Sequence, residues 1–306
     1  MPAVLTHNFF GLEVIERLEG AAFSQGDARD LFLLGNQGSD PFFYALRTPR
    51  LVDLKKFGSL LHHQKVEEST DAMRRYIQGL PPAEAALVDA YFCGYLCHFS
   101  LDSTEHPFVI AQEIEICAAG VKGLDESARS IVHGQIEADL DAMMLYRLTG
   151  KTIREYRYTT DVLHARDQVL GLLDGLYRHV ALEVFGQRLP RHAFTRCVKD
   201  MRTTARLLYS STGRRRAALG RIERLVRTHS LAQAMSHRAD VQATCDFDNH
   251  AGAVWVNPFN GELSVDSFTE LFDKALTAAV DRLQAHEQGV PTGLLTGGLN
   301  FEGKRS

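Results

Sequence analysis

The sequence predicts an all-α fold, a single multi-helix bundle domain. Apolar residues recur at intervals of three and four over most of the 306 positions. Alternating β-branched runs are scarce. Glycine, proline and asparagine gather in a few short clusters, as between helices joined by brief connections.

Taken in order, the periodicity predicts helices over 10–18, 27–34, 50–78 and 83–101. Pro81 and Pro82 open the fourth, where a missing N–H costs a first helical turn nothing. Further helices are expected over 126–149, 161–185, 191–210, 214–237 and 264–287. "SVDSFTELFDKAL" at 264–276 offers a Ser or Asp to cap the last of these. "GNQGSDPFF" at 35–43 reads as a shaped loop. "TCDFDNHAGAVWVNPFNGE" at 244–262 is the long non-helical segment and holds the only tryptophan, Trp255, which suits either a site's mouth or a core gap. The glycine-rich residues 289–306 read as a flexible tail, so the helical domain is expected over 1–288.

Composition sets limits. Hydrophobic residues make up 45% and charged residues 24%, enough for a large core without disulfides. A net charge of -4 argues against wholesale nucleic-acid affinity. Cys93, Cys97, Cys117, Cys197 and Cys245 contain no CxxC pair and fit reduced, buried thiols. No transmembrane run is present, and "MPAVLTHNFFGLEVIERL" lacks the basic and apolar regions of a signal peptide; a cytoplasmic location is expected. Residues 191–238 carry twelve Lys and Arg against two Asp and Glu. In the helix expected over Arg214–Arg227, Arg214, Arg221 and Arg224 fall near one face, with Leu219, Ile222 and Leu225 towards another. That pattern suits peripheral contact with an anionic surface, lipid or nucleic acid, or a solvated helix paired with acidic neighbours.

The chemistry concentrates in "CHFSLDSTEHP" at 97–107, where His98, Asp102 and His106 are spaced by four and share one helical face. "HGQIE" repeats the spacing with His133 and Glu137. His7, Asp40 and one of His62 or His63 complete a set of eight nitrogen and oxygen donors. Imidazoles mixed with carboxylates suit zinc rather than calcium or magnesium. The plainer account is a surface His–Asp pair, a capping His7 and a polar helix edge at 62–63. Against it, Leu96, Phe99, Ile136 and Leu140 surround the stripe with core-like positions. Glu105, beside His106, is expected to be exposed.

"CHFSLDSTEHP" followed by "HGQIE" resembles the zinc-dependent phospholipase C family, related in fold to P1-type nucleases. "THNFFG" and "GNQGSDPFF" resemble that family's segments in the same order. The motifs cover residues 4–140, with a thinner likeness through "NHAGAVWVNPF". The resemblance implies a helical domain of the phospholipase C/P1 nuclease type holding two or three zinc ions. It places one zinc on Asp40, His62, His98 and Asp102, and a second on His106, His133 and Glu137. A third would use His7, Asp102 and a processed N-terminal amino group. Asp40 is implied as the base that orients the attacking water. The implied reaction is zinc-dependent phosphodiester hydrolysis, since zinc lowers the pKa of bound water to about 7. A phospholipid or a soluble phosphodiester is the expected substrate. Nucleotide or single-strand nuclease activity, and a non-catalytic zinc-stabilised binding module, are the alternatives.

Overall fold

The structure, a computed structural model, describes residues 3–18, 20–46, 51–226, 228–240 and 242–305, without the side chains of 51–53 and 161. It is mostly helical, with one two-stranded sheet among the described residues. No described helix is long and apolar enough to cross a membrane.

Helix α1 (Val4–Arg17) begins six residues before its apolar period predicts. The reason is distant in sequence: the Asp141 carboxylate accepts the N–H groups of Leu5 at 3.1 Å and Thr6 at 2.5 Å. A buried anion at a helix start offsets the dipole and satisfies orphan donors. Helix α2 (Gly26–Gly35) ends in the predicted loop, and a 3-10 turn follows over Asp40–Tyr44. The single helix expected over 50–78 is two, α3 (Leu51–His63) and α4 (Val66–Gln78); Arg50 lies outside the described residues. The break is at Lys65, whose φ of 51° is left-handed. Its cost of about 1 kcal/mol is opposed by the Lys65 ammonium, which donates to the Val184 carbonyl at 3.1 Å.

Helix α5 (Pro82–Ala118) runs well past residue 101 and takes Pro107 into its interior. A mid-helix proline costs about 3 kcal/mol. The buried side chains of Leu101, Phe108 and Val109 on either side supply the opposing packing. Helix α6 (Arg129–Thr149) follows a short 3-10 turn. The predicted 161–185 helix separates into α7 (Tyr158–Asp161) and α8 (Asp167–Phe185), with Leu163 and Ala165 at positive φ between them. Helix α9 (Ala193–Leu208) is as expected. The expected 214–237 helix is instead α10 (Arg214–Glu223) and α11 (Leu231–Ala234); Arg227 lies outside the described residues.

A β-hairpin pairs Trp255 with Ser264 and Val256 with Leu263. Trp255 is half-buried, sits edge-on to Phe108 at 5.3 Å and donates to the Asp266 carbonyl. Helix α12 (Phe268–Glu287) starts with a capping box: Ser267 and Glu270 each take the other's N–H. Residues 289–305 are no loose tail. They form α13 (Thr292–Thr296), an isolated bridge between Leu299 and Arg305, and a fully buried Phe301. Glycines only permit mobility; an aromatic with a core to enter removes it.

The chain divides into two compact units, each built from separated segments. The first comprises Met1–Phe9, Thr104–Val162 and Ala205–Lys274; the second comprises Phe10–Ser103, Leu163–Thr204 and Ala275–Ser306. In the first, Asp141 also meets His237 at 2.6 Å. In the second, Gly35 and Gly94 let α2 and α5 touch backbone to backbone; a Cβ on Gly94 would lie 2.0 Å from the Phe32 carbonyl oxygen. All five cysteines are free, and burial pushes the Cys197 thiol up to about 12.

Candidate metal centre

Each unit gathers its own set of donors. In the second unit the loop after α2 is the positioning device. Gly38 has φ 50°, and a Cβ there would fall 2.0 Å from Cδ2 of His98. Only glycine lets this backbone lie against the imidazole. Tyr91 and Tyr177 both donate to the Gly38 carbonyl, at 2.7 and 3.2 Å. The clamped loop delivers Asp40, whose Oδ1 lies 2.9 Å from His62 Nε2 and 3.8 Å from His98 Nε2. One turn along α5, Asp102 Oδ2 is 3.4 Å from the same His98 nitrogen. Donor atoms of His62, His98 and Asp102 lie within 4.8 Å of one another, all on buried residues.

His62 shows its tautomer. Nδ1 donates to the Gly58 carbonyl at 2.8 Å, which leaves Nε2 towards Asp40. With Nδ1 donating to Gly58, Nε2 is the nitrogen left to face the carboxylate or a cation between them. Burial opposes charge on Asp40, but the imidazoles of His98 and His62 outweigh it and hold its carboxyl below the usual range. The neighbouring His63 is turned away, bonded to the Ser59 carbonyl and to Glu302 on the surface. Phe301 packs its ring against both imidazole rings, 5.0 Å from His62 and 5.3 Å from His98.

In the first unit, Glu137 Oε1 lies 3.2 Å from His133 Nε2 and 3.6 Å from His106 Nε2. The two imidazoles stack with centroids 5.7 Å apart. The other nitrogen of His133 meets Glu113 Oε2 at 3.0 Å, and Arg129 holds the remaining Glu113 oxygen. Burial works against a charged His133, yet Glu137 and Glu113 prevail and lift its pKa to about 9. Burial likewise opposes charge on Glu137, while His133 and His106 hold its carboxyl well below the usual range. Its second oxygen, Oε2, is buried and accepts no hydrogen bond among the described residues. An outer carboxylate on Nδ1, an inner one beside Nε2 and an orphaned buried oxygen together fit a divalent cation.

Of the remaining expected ligands, His7 is buried on α1 in the first unit, inside the helix rather than capping it. The N-terminal amino group considered for a third zinc lies outside the described residues. Glu105, expected to be exposed, is buried. Glu113 had no place among the expected residues. Its signal was its position seven after His106, two turns along the same stripe. Comparison of the chain with family models, with curated proteins and with solved structures gave no match.

Proposed function

We propose that this protein is a zinc-dependent phosphoric-ester hydrolase of the phospholipase C type. The observation that carries the reading is the donor count in the first unit. His106, His133 and Glu137 make three ligands, where a structural zinc is closed by four. Zinc, when bound, supplies Lewis acidity to a phosphoryl oxygen and makes water nucleophilic at neutral pH. His62, held by Gly58, and His133, held by Glu113, would present fixed nitrogens to a bound ion. Asp102 supplies the carboxylate of the second-unit set, and Asp40, kept ionised, orients water and receives its proton.

A phospholipid substrate is favoured by α10 and the residues after it. Arg214 and Arg221 are exposed, and so are Ile222, Leu225 and Val226 at 64%, 83% and 82%. Cations beside bare aliphatic side chains suit an anionic lipid surface. The test is zinc content after reconstitution, with initial rates on a phospholipid, a soluble diester and single-stranded DNA. Zinc in both sets with cleavage of the phospholipid supports the reading. Cleavage of DNA alone makes the chain a nuclease, and zinc without turnover makes it a binding module. A protein that takes up no zinc ends the reading.

A further inference from the structure

A third group of donors stands apart from those above. Asp89 and Cys93 occupy successive turns of α5, and His286 lies in the last turn of α12, all within the second unit. At about 100° per residue, Cys93 is about 140° around the helix from His98, on another face. The carboxylate, thiol and imidazole each offer one atom, and these atoms lie within 4.8 Å of one another.

His286 is held firmly. Nε2 meets Asp89 Oδ1 at 2.9 Å, and Phe92 packs edge-on against the ring at 4.9 Å. Nδ1 is buried and has no hydrogen-bond partner among the described residues. Nε2, the nitrogen that faces Asp89, is the one an ion shared with that carboxylate would use. All three side chains line one cavity of about 630 Å³ in the same unit, with Leu18, Phe23 and Leu283 among its other walls.

We propose that Asp89, Cys93 and His286 form a further metal site, for a zinc-class divalent ion with its fourth position open to this cavity. The donor chemistry selects the ion: a thiolate with an imidazole and one carboxylate suits zinc or cobalt and disfavours calcium and magnesium. Three protein ligands leave room for water or an incoming ligand. Most of the structural reason lies in the helix: the i,i+4 spacing sets carboxylate and thiol side by side, and α12 brings the third donor.

The thiol makes the site separable from the hydrolase reading, because neither of the other sets contains sulfur. Reduced protein stripped of metal and titrated with Co2+ is expected to show a near-ultraviolet thiolate-to-cobalt charge-transfer band. The band disappears in Cys93→Ser and in His286→Gln, and persists in Cys97→Ser and in Glu137→Gln. Far-UV circular dichroism checks each fold; if Cys93→Ser is misfolded, the half-buried His286→Gln and Asp89→Asn carry the test. Absence of the band at saturating Co2+, or its survival in a folded Cys93→Ser or His286→Gln, overturns the site. Loss of phosphodiesterase activity with the band intact sinks only the hydrolase proposal.

Discussion

Glu113 Oε2 meets His133 Nδ1 at 3.0 Å, at the ring nitrogen that does not face Glu137. A carboxylate there fixes the tautomer and raises the basicity of the nitrogen that faces Glu137. Glu113→Gln is therefore expected to weaken zinc at the His106–His133–Glu137 set by about 10- to 100-fold. Competition titration against a chelator measures it. An unchanged affinity would make Glu113 merely the partner of Arg129.

Asp102 and Asp40 separate two roles within the second unit. Asp102→Asn removes a ligand charge, so zinc and turnover are expected to fall together. Asp40→Asn is expected to keep most zinc while turnover drops by about 10²- to 10⁴-fold. The exposed Glu126→Gln changes neither. Zinc content and initial rate on the same preparations decide it; an Asp102→Asn protein with full zinc reduces the stripe to a polar patch.

Gly38→Ala tests the loop clamp. Left-handed φ costs a β-carbon about 1–2 kcal/mol, and the His98 ring stands only 2.0 Å from where that carbon would sit. The expected result is a stability loss of roughly 2–4 kcal/mol with weaker zinc retention in the second unit. Chemical denaturation reads the first and metal analysis the second. Wild-type values for both would mean the loop can yield without disturbing His98.

In metal-free protein, His133 links stability to pH. Its pKa of about 9 lies above the ordinary 6.5, so the protonated ring favours the folded state. That contribution, on the order of 3 kcal/mol, is complete below pH about 6.5 and is lost as pH rises through about 9. Melting of the metal-free protein should accordingly weaken from neutral to alkaline pH, and His133→Gln should flatten the trend. Zinc binding near neutrality should release protons. Equal slopes in wild type and variant would rule His133 out as the source.

Replacing Arg214, Arg221 and Arg224 together with Gln should weaken binding to anionic vesicles and lower its dependence on salt. Hydrolysis of a small soluble diester should survive. Vesicle binding that stays at the wild-type level returns these arginines to an ordinary solvated surface.

The helices and the two donor stripes were legible because both follow from spacing. His98, Asp102 and His106 fall on one face at any register of a helix, as do His133 and Glu137. What spacing lacks is the long-range partner. Nothing near residue 4 announces that Asp141 will take its amides, so α1 begins before its apolar pattern. Lys65 is neither glycine nor asparagine, and the break it makes depends on tertiary contacts. Pro107 reads as a stop, and only flanking burial shows why α5 ignores it. Asp89, Cys93 and His286 stayed hidden because two are on one helix and the third is 193 positions later.

The backbone N–H of Phe301 donates to the His62 carbonyl at 3.1 Å, and its ring rests on both histidines. Loss of the short segment after the exposed Gly297 would leave nearly the whole polypeptide in place while uncovering that pair of imidazoles. Such a sample would keep its mass on a denaturing gel to within a small peptide and its helical spectrum almost unaltered. Preparations should therefore be checked by intact mass at the C-terminus before their behaviour is compared.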